Sequence, residues 1–90
     1  MILPLEDAVL LGYLAKDNER TNSLQSKMLD LLSLPFGETA MRLMHLEQRG
    51  AVASYGLPKT YTILPSGVSE LKEYKDTLSK VYVHGLLRSI

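Results

Sequence analysis

The stretch Gly37–Gly50, GETAMRLMHLEQRG, continued by AVASYGLPKTYTILPSG to Gly67, decides how the chain folds. It reads as a helix, a short strand, a tight turn, a second strand and the opening of another helix. Leu43 and Leu46, with Ala40 on the flank, set apolar side chains along one side of the first helix. Arg42, His45 and Arg49 follow at spacings of three and four and make a polar stripe beside it. Gly50 stops the helix where a left-handed residue is wanted. Beyond it the chain alternates. Val52, Tyr61 and Ile63 are expected to point one way, and Ser54, Thr60 and Thr62 the other. Tyr55-Gly56-Leu57-Pro58-Lys59 carries the turn residues between the strands.

Working outward, 90 residues make one domain, and 46% hydrophobic residues are enough for a core. A chain this small buries its apolar surface only marginally alone, so pairing with a second copy is expected before any motif is read. The absence of Cys excludes a disulfide framework and a Cys-based metal site. It fits a reducing, cytoplasmic location. The opening MILPLEDAVLLGYLAKDNER has no basic run before its apolar stretch, and Glu6 and Asp7 interrupt it. It reads as neither a signal peptide nor a membrane span. Ten Lys+Arg balance ten Asp+Glu, which argues against coating nucleic acid by bulk charge. The charge is unevenly placed: residues 20–62 hold five Lys+Arg against three Asp+Glu, while residues 1–19 are acidic.

Pro4 to Lys16 reads as a first helix, with Pro4, Glu6 and Asp7 suited to its opening turn. Val9, Leu10, Tyr13 and Leu14, widened by Ala8 and Leu11, give it an apolar face broad enough to be covered on more than one side. A polar connection follows, where a short strand including Thr21 is possible. Asn22 or Ser23 can cap a second helix, Leu24 to Leu32, whose buried side is Leu24, Met28, Leu31 and Leu32. Gln25 and Lys27 lie on its exposed side. Ser33-Leu34-Pro35-Phe36 is the turn; Pro35 halts the second helix, and Phe36 is expected in the core.

Two registers fit the third helix. If Ala40, Leu43 and Glu47 face inward, Glu38, Arg42, His45 and Arg49 face out. If Thr39, Leu43 and Leu46 face inward, the outer set is Glu38, Met41, His45 and Gln48. Met41 and Met44 either fill a loose core, the simpler reading, or contact thymine methyls. From Pro65 to about His84 the chain reads as a long last helix, interrupted at Gly85. Val68, Leu71, Tyr74, Leu78 and Val81 repeat along it at spacings of three and four. With Tyr82 beside them, they form a seam that a small domain has no room to bury. A second copy is the simplest partner.

A helix with a basic stripe followed at once by a hairpin resembles the second half of a winged helix-turn-helix, most closely in the PadR and MarR groups of transcription regulators. Their pattern L-E-x-x-G-x-V is matched by Leu46-Glu47-Gln48-Arg49-Gly50-Ala51-Val52. Their Y-x-L-T-P-x-G is matched by Tyr61-Thr62-Ile63-Leu64-Pro65-Ser66-Gly67. Leu64 stands where the pattern has a capping Thr; Pro65 and Ser66 favour the helix start instead. The likeness covers roughly residues 5–75. It implies a mostly α fold with a small β-hairpin wing, a two- or three-stranded sheet and a long C-terminal dimerisation helix. Residues 1–64 would form the DNA-binding core and residues 65–90 the dimerisation helix and tail.

The resemblance also implies sequence-specific binding of double-stranded DNA as a homodimer on an inverted-repeat operator, with repression of transcription. Arg42, His45, Gln48 and Arg49 would read bases, with Glu38 and Met41 beside them. Lys59 at the wing tip would meet phosphate or the minor groove, and Lys27 and Thr39 the DNA backbone. Larger PadR-like proteins bind small molecules between subunits, and Tyr74 and Tyr82 are the aromatic residues that would serve such an effector. Two alternatives stand beside this reading. One is a winged-helix module for protein assembly without DNA, favoured by the zero net charge. The other is a DNA-binding protein of plasmid or viral replication or partition. No enzyme and no cofactor is expected. The only histidines, His45 and His84, lie on different helices, and no phosphate loop or metal-ligand spacing appears.

Overall fold

Pro4, in extended conformation, sits just ahead of helix α1 (Leu5–Lys16), and its carbonyl accepts the first helical bond, from the Ala8 N–H. Leu10, Leu11 and Leu14 are buried on a face that packs against every other helix. The computed structural model describes the backbone of residues 3–89 and the side chains of residues 3–78. Strand β1 (Glu19–Arg20) and helices α2 (Thr21–Leu32) and α3 (Phe36–Gln48) follow. Strands β2 (Val52–Tyr55) and β3 (Thr60–Ile63) then lead into α4 (Pro65–Ser89). The sheet is antiparallel, in the order β1-β3-β2.

Helix α2 starts earlier than its apolar pattern predicts, at Thr21. Neither Asn22 nor Ser23 caps it. The Thr21 N–H instead donates to the Lys59 carbonyl at 3.3 Å, and the Ser23 hydroxyl donates to the Glu19 carboxylate at 2.8 Å. Pairing with the sheet therefore fixes the helix start. At its far end Ser33 adopts a left-handed conformation (φ 53°), and its N–H donates to the Leu29 carbonyl. Leu34 fills the core at this turn, so Phe36, expected inside, is half-exposed. Leu31 is likewise exposed rather than buried.

Helix α3 ends as the glycine predicts. Gly50 is left-handed (φ 81°) and donates to the Glu47 carbonyl; the Ala51 N–H reaches back to the Leu46 carbonyl at 2.9 Å. These paired bonds satisfy carbonyls the helix leaves open. They also deliver the buried Ala51 and Val52 into the sheet. The strand register corrects one expectation. Ser54 lies opposite Tyr61, and Val52 opposite Ile63. Alternate residues of a strand share a face, so Ser54 is on the side of Val52 and not against it. Its hydroxyl donates to the Glu47 carboxylate at 2.5 Å.

Helix α4 leaves β3 through Leu64, whose N–H donates to the Ala51 carbonyl. Gly67 is buried over that carbonyl; a methyl group there would overlap the Ala51 oxygen and come within 2.9 Å of the Ile63 side chain. The glycine of the Y-x-x-x-P-x-G stretch is thus required for close approach of backbones. Gly85 lies inside α4 and does not interrupt it. One interior glycine costs only about 1 kcal/mol relative to Ala, too little to end a helix this long.

Candidate nucleic-acid interface

Helices α2 and α3 and the turn between them form a helix-turn-helix, with the β2–β3 hairpin beside it. Which face α3 turns outward is settled by its contacts. Thr39, Leu43 and Leu46 are completely buried, which selects the second of the two registers. Gly37, Met41, Met44 and Gln48 then form an exposed stripe, flanked by exposed Glu38 and His45. Met41 and Met44 are 47% and 49% exposed, so they do not fill the core.

The same geometry corrects the assignment of Thr39 to the DNA backbone. Its side chain is sealed inside, and its hydroxyl has no hydrogen-bond partner among the described residues.

The cations singled out from the sequence are held within the chain. The Arg42 guanidinium donates to the Asp7 carboxylate at 3.3 Å and lies 3.7 Å from Glu6, so it ties α3 to α1. It points along the flank of α3 and away from the outer stripe. The acidic pair Glu6-Asp7, which the helix dipole alone seemed to explain, is therefore Arg42's partner as well. Arg49 donates to the Glu70 carboxylate at 2.7 Å and ties the end of α3 to α4. Lys59 is exposed at the wing, 3.7 Å from Glu47 and over the ring of Tyr61. Lys27 pairs with Glu19, and its ammonium lies 5.0 Å from the centre of the Tyr13 ring.

Among the described residues, Lys16, Arg20, Lys72 and Lys75 have no carboxylate within ion-pair distance. Two of these, Lys16 and Arg20, stand close to the wing and were not singled out in the sequence. Lys16 and Arg20 line a shallow hollow with Lys27 at the junction of α1, β1 and α2. Arg20 pairs with Thr60 in the sheet, one residue from Lys59. The available signal was the short polar link itself: a cation in a strand paired with the wing ends up beside the wing's turn.

The last-helix seam divides. Leu71 is only 7% exposed and Tyr74 is half-buried against the same core, because α4 packs on α1. The expectation that this stripe lacks a partner within the chain is wrong for these two residues. Val68 and Leu78 are exposed. Val81 and Tyr82 lie outside the described side chains. Tyr74 and Leu78 also line a hollow with Leu3 and Pro4 between the start of α1 and α4. Among the described residues no group of His, Asp and Glu is placed to hold a metal ion, and no helix is long and apolar enough to cross a membrane.

This arrangement of helix-turn-helix and three-stranded wing is a winged helix. No family profile and no curated protein matches the sequence, but solved structures share the fold. The PadR-like transcriptional regulator BC1756 from Bacillus cereus superposes over 89% of this chain with a TM-score of 0.70 and 21% identity. The chain spans 58% of that protein's length. TA0346 from Thermoplasma acidophilum, assigned as a transcriptional regulator, gives a TM-score of 0.71 at 23% identity, over 96% of this chain and 93% of that one. The hsRosR-S4 complex structure gives 0.75 at 16% identity, over 97% and 88%. The chain carries the winged-helix fold of PadR-like regulators.

Proposed function

We propose that this chain is a regulator of transcription that binds double-stranded DNA sequence-specifically, as a homodimer, and acts as a repressor. The observation that carries the reading is the mounting of α3. Its back is sealed in the core and one flank is pinned to α1 and α4. A stripe one helix wide, Gly37, Met41, Met44 and Gln48, is left open beside the wing. An α-helix presented this way matches the width of the major groove. In this proposal Gln48, His45 and Met41 face base edges. Arg20, Lys16 and Lys59 meet phosphates, while Arg42 and Arg49 hold the reading helix. Exposed Val68 and Leu78 on α4 contribute to the contact between copies.

A second reading has a specific observation in its favour. Neither arginine of the α3 region is free, and two methionines are half-exposed on α3, which suits a protein partner. One experiment decides between them. The full chain is incubated at low salt with a pool of random duplexes, and bound DNA is selected and sequenced. A two-fold dimer enriches an inverted repeat with half-site centres about 10 bp apart. Failure to retain any duplex would favour the protein-assembly reading. Enrichment of single sites would remove the symmetric dimer from the proposal.

A further inference from the structure

We infer that α3 reads A·T base pairs, through thymine methyl groups and an adenine edge, and does not read guanine through arginine. The inference rests on the DNA-binding reading and deepens it. Its basis is what the fold does to the side chains of α3. Guanine is most often read by an arginine or lysine reaching its paired acceptors. Helix α3 has one such residue, Arg42, and Asp7 and Glu6 hold it on the flank facing α1. Arg49, just past the helix end, is held by Glu70 on α4. The outer stripe retains no arginine or lysine, and the exposed His45 imidazole beside it is the one remaining ring N–H donor on α3.

The stripe offers two thioether chains and one amide. Met41 and Met44 lie three residues apart and half-exposed, and Gln48 follows four residues later on the same face. A thymine methyl is the one apolar group displayed in the major groove, and a glutamine amide matches the donor–acceptor pair of adenine. Glu38, exposed at the start of the helix, is an acceptor: it repels phosphate and the guanine acceptors, and its partners in the groove are the amino groups of adenine and cytosine. Attraction to the duplex comes from the wing side of the surface, where Arg20 and Lys16 have no carboxylate partner among the described residues and Lys59 is exposed.

The test uses the full chain and the duplex enriched from a random pool. The enriched half-site should have an A·T core. Replacing its thymines one at a time by deoxyuridine removes only the methyl, and at one or two positions this should weaken binding about fourfold. Met41→Ala and Met44→Ala should bind the thymine duplex more weakly and lose the distinction between thymine and uracil at one position each. Met41→Leu and Met44→Leu, which keep the apolar surface, should retain it. Since both methionines are half-exposed, these variants fold as the parent does. An enriched core of G·C pairs, or uracil tolerated everywhere by the parent, would overturn the inference while leaving DNA binding in place. A chain that binds no duplex at all would take the DNA-binding reading down with it.

Discussion

Replacing Arg42 by alanine would leave the Asp7 side chain, 11% exposed, without the guanidinium 3.3 Å away. A buried charge that loses its partner costs more than the pair was worth, and a loss of about 2 kcal/mol is expected in urea denaturation. Arg42→Ala, Asp7→Asn and the double variant should couple by about 1 kcal/mol. If DNA is bound, Arg42→Ala should leave the ratio of specific to random affinity unchanged, contrary to what its place in the polar stripe suggests. At Thr39 the change runs the other way. Its hydroxyl is buried without a partner, so Thr39→Val removes a desolvated polar group at nearly constant shape and should raise stability by about 1 kcal/mol. Both residues mark where the sequence stops being legible. Apolar periodicity leaves the phase of α3 open, because Ala40 and Thr39 are neighbours and either can begin an inner row. Polarity argued for the wrong one: threonine is buried here, and arginine is turned sideways chiefly by the Asp7 carboxylate, 35 residues away in the chain.

Among the elements, α4 approaches the link between α3 and β2 so closely that only a glycine fits at position 67. Gly67→Ala would push a methyl group into the Ala51 carbonyl and against Ile63. Ala51 is itself bonded from both sides, to Leu46 and by Leu64, so its backbone has little room to yield. Overpacking of this kind costs about 2–3 kcal/mol, and thermal melting should show it as a lowered midpoint. The order of elements from α3 onward was readable because each boundary has a local cause: Gly50 for the helix end, alternation for β2 and β3, Pro65 for α4. The start of α2 was not readable, because no capping side chain fixes it. A bond from Thr21 to Lys59, a residue far along the chain at the turn of the hairpin, does so instead. Strand faces were misjudged at Ser54 for a simpler reason: its serine looked like a solvent residue, whereas its hydroxyl is bonded to Glu47.

For the molecule as a whole, the last helix carries two kinds of apolar residue on what looks like one stripe. Leu71 belongs to the chain's own core, and Leu78 is 51% exposed. Leu71→Asp should therefore unfold the protein, since an ionised group buried there costs several kcal/mol. Leu78→Asp should leave each subunit folded by circular dichroism. If Leu78 lies between copies, sedimentation of that variant should change from dimer to monomer. A parent chain that sediments as a monomer at high concentration would remove α4 as the dimer contact. A heptad-like pattern records only that residues share a side of a helix; whether one's own core or a second copy covers them depends on where α1 lies.

Because α3 is fastened by its back and flank, its outer residues are spared any part in keeping the domain folded. Gly37, Met41, Met44 and Gln48 make none of the side-chain hydrogen bonds or ion pairs described above, and they lie outside the core. Preference for a new target can then drift without a toll on folding. A library randomised at positions 41, 44 and 48 should express and melt like the parent while its members diverge in the sequences they choose.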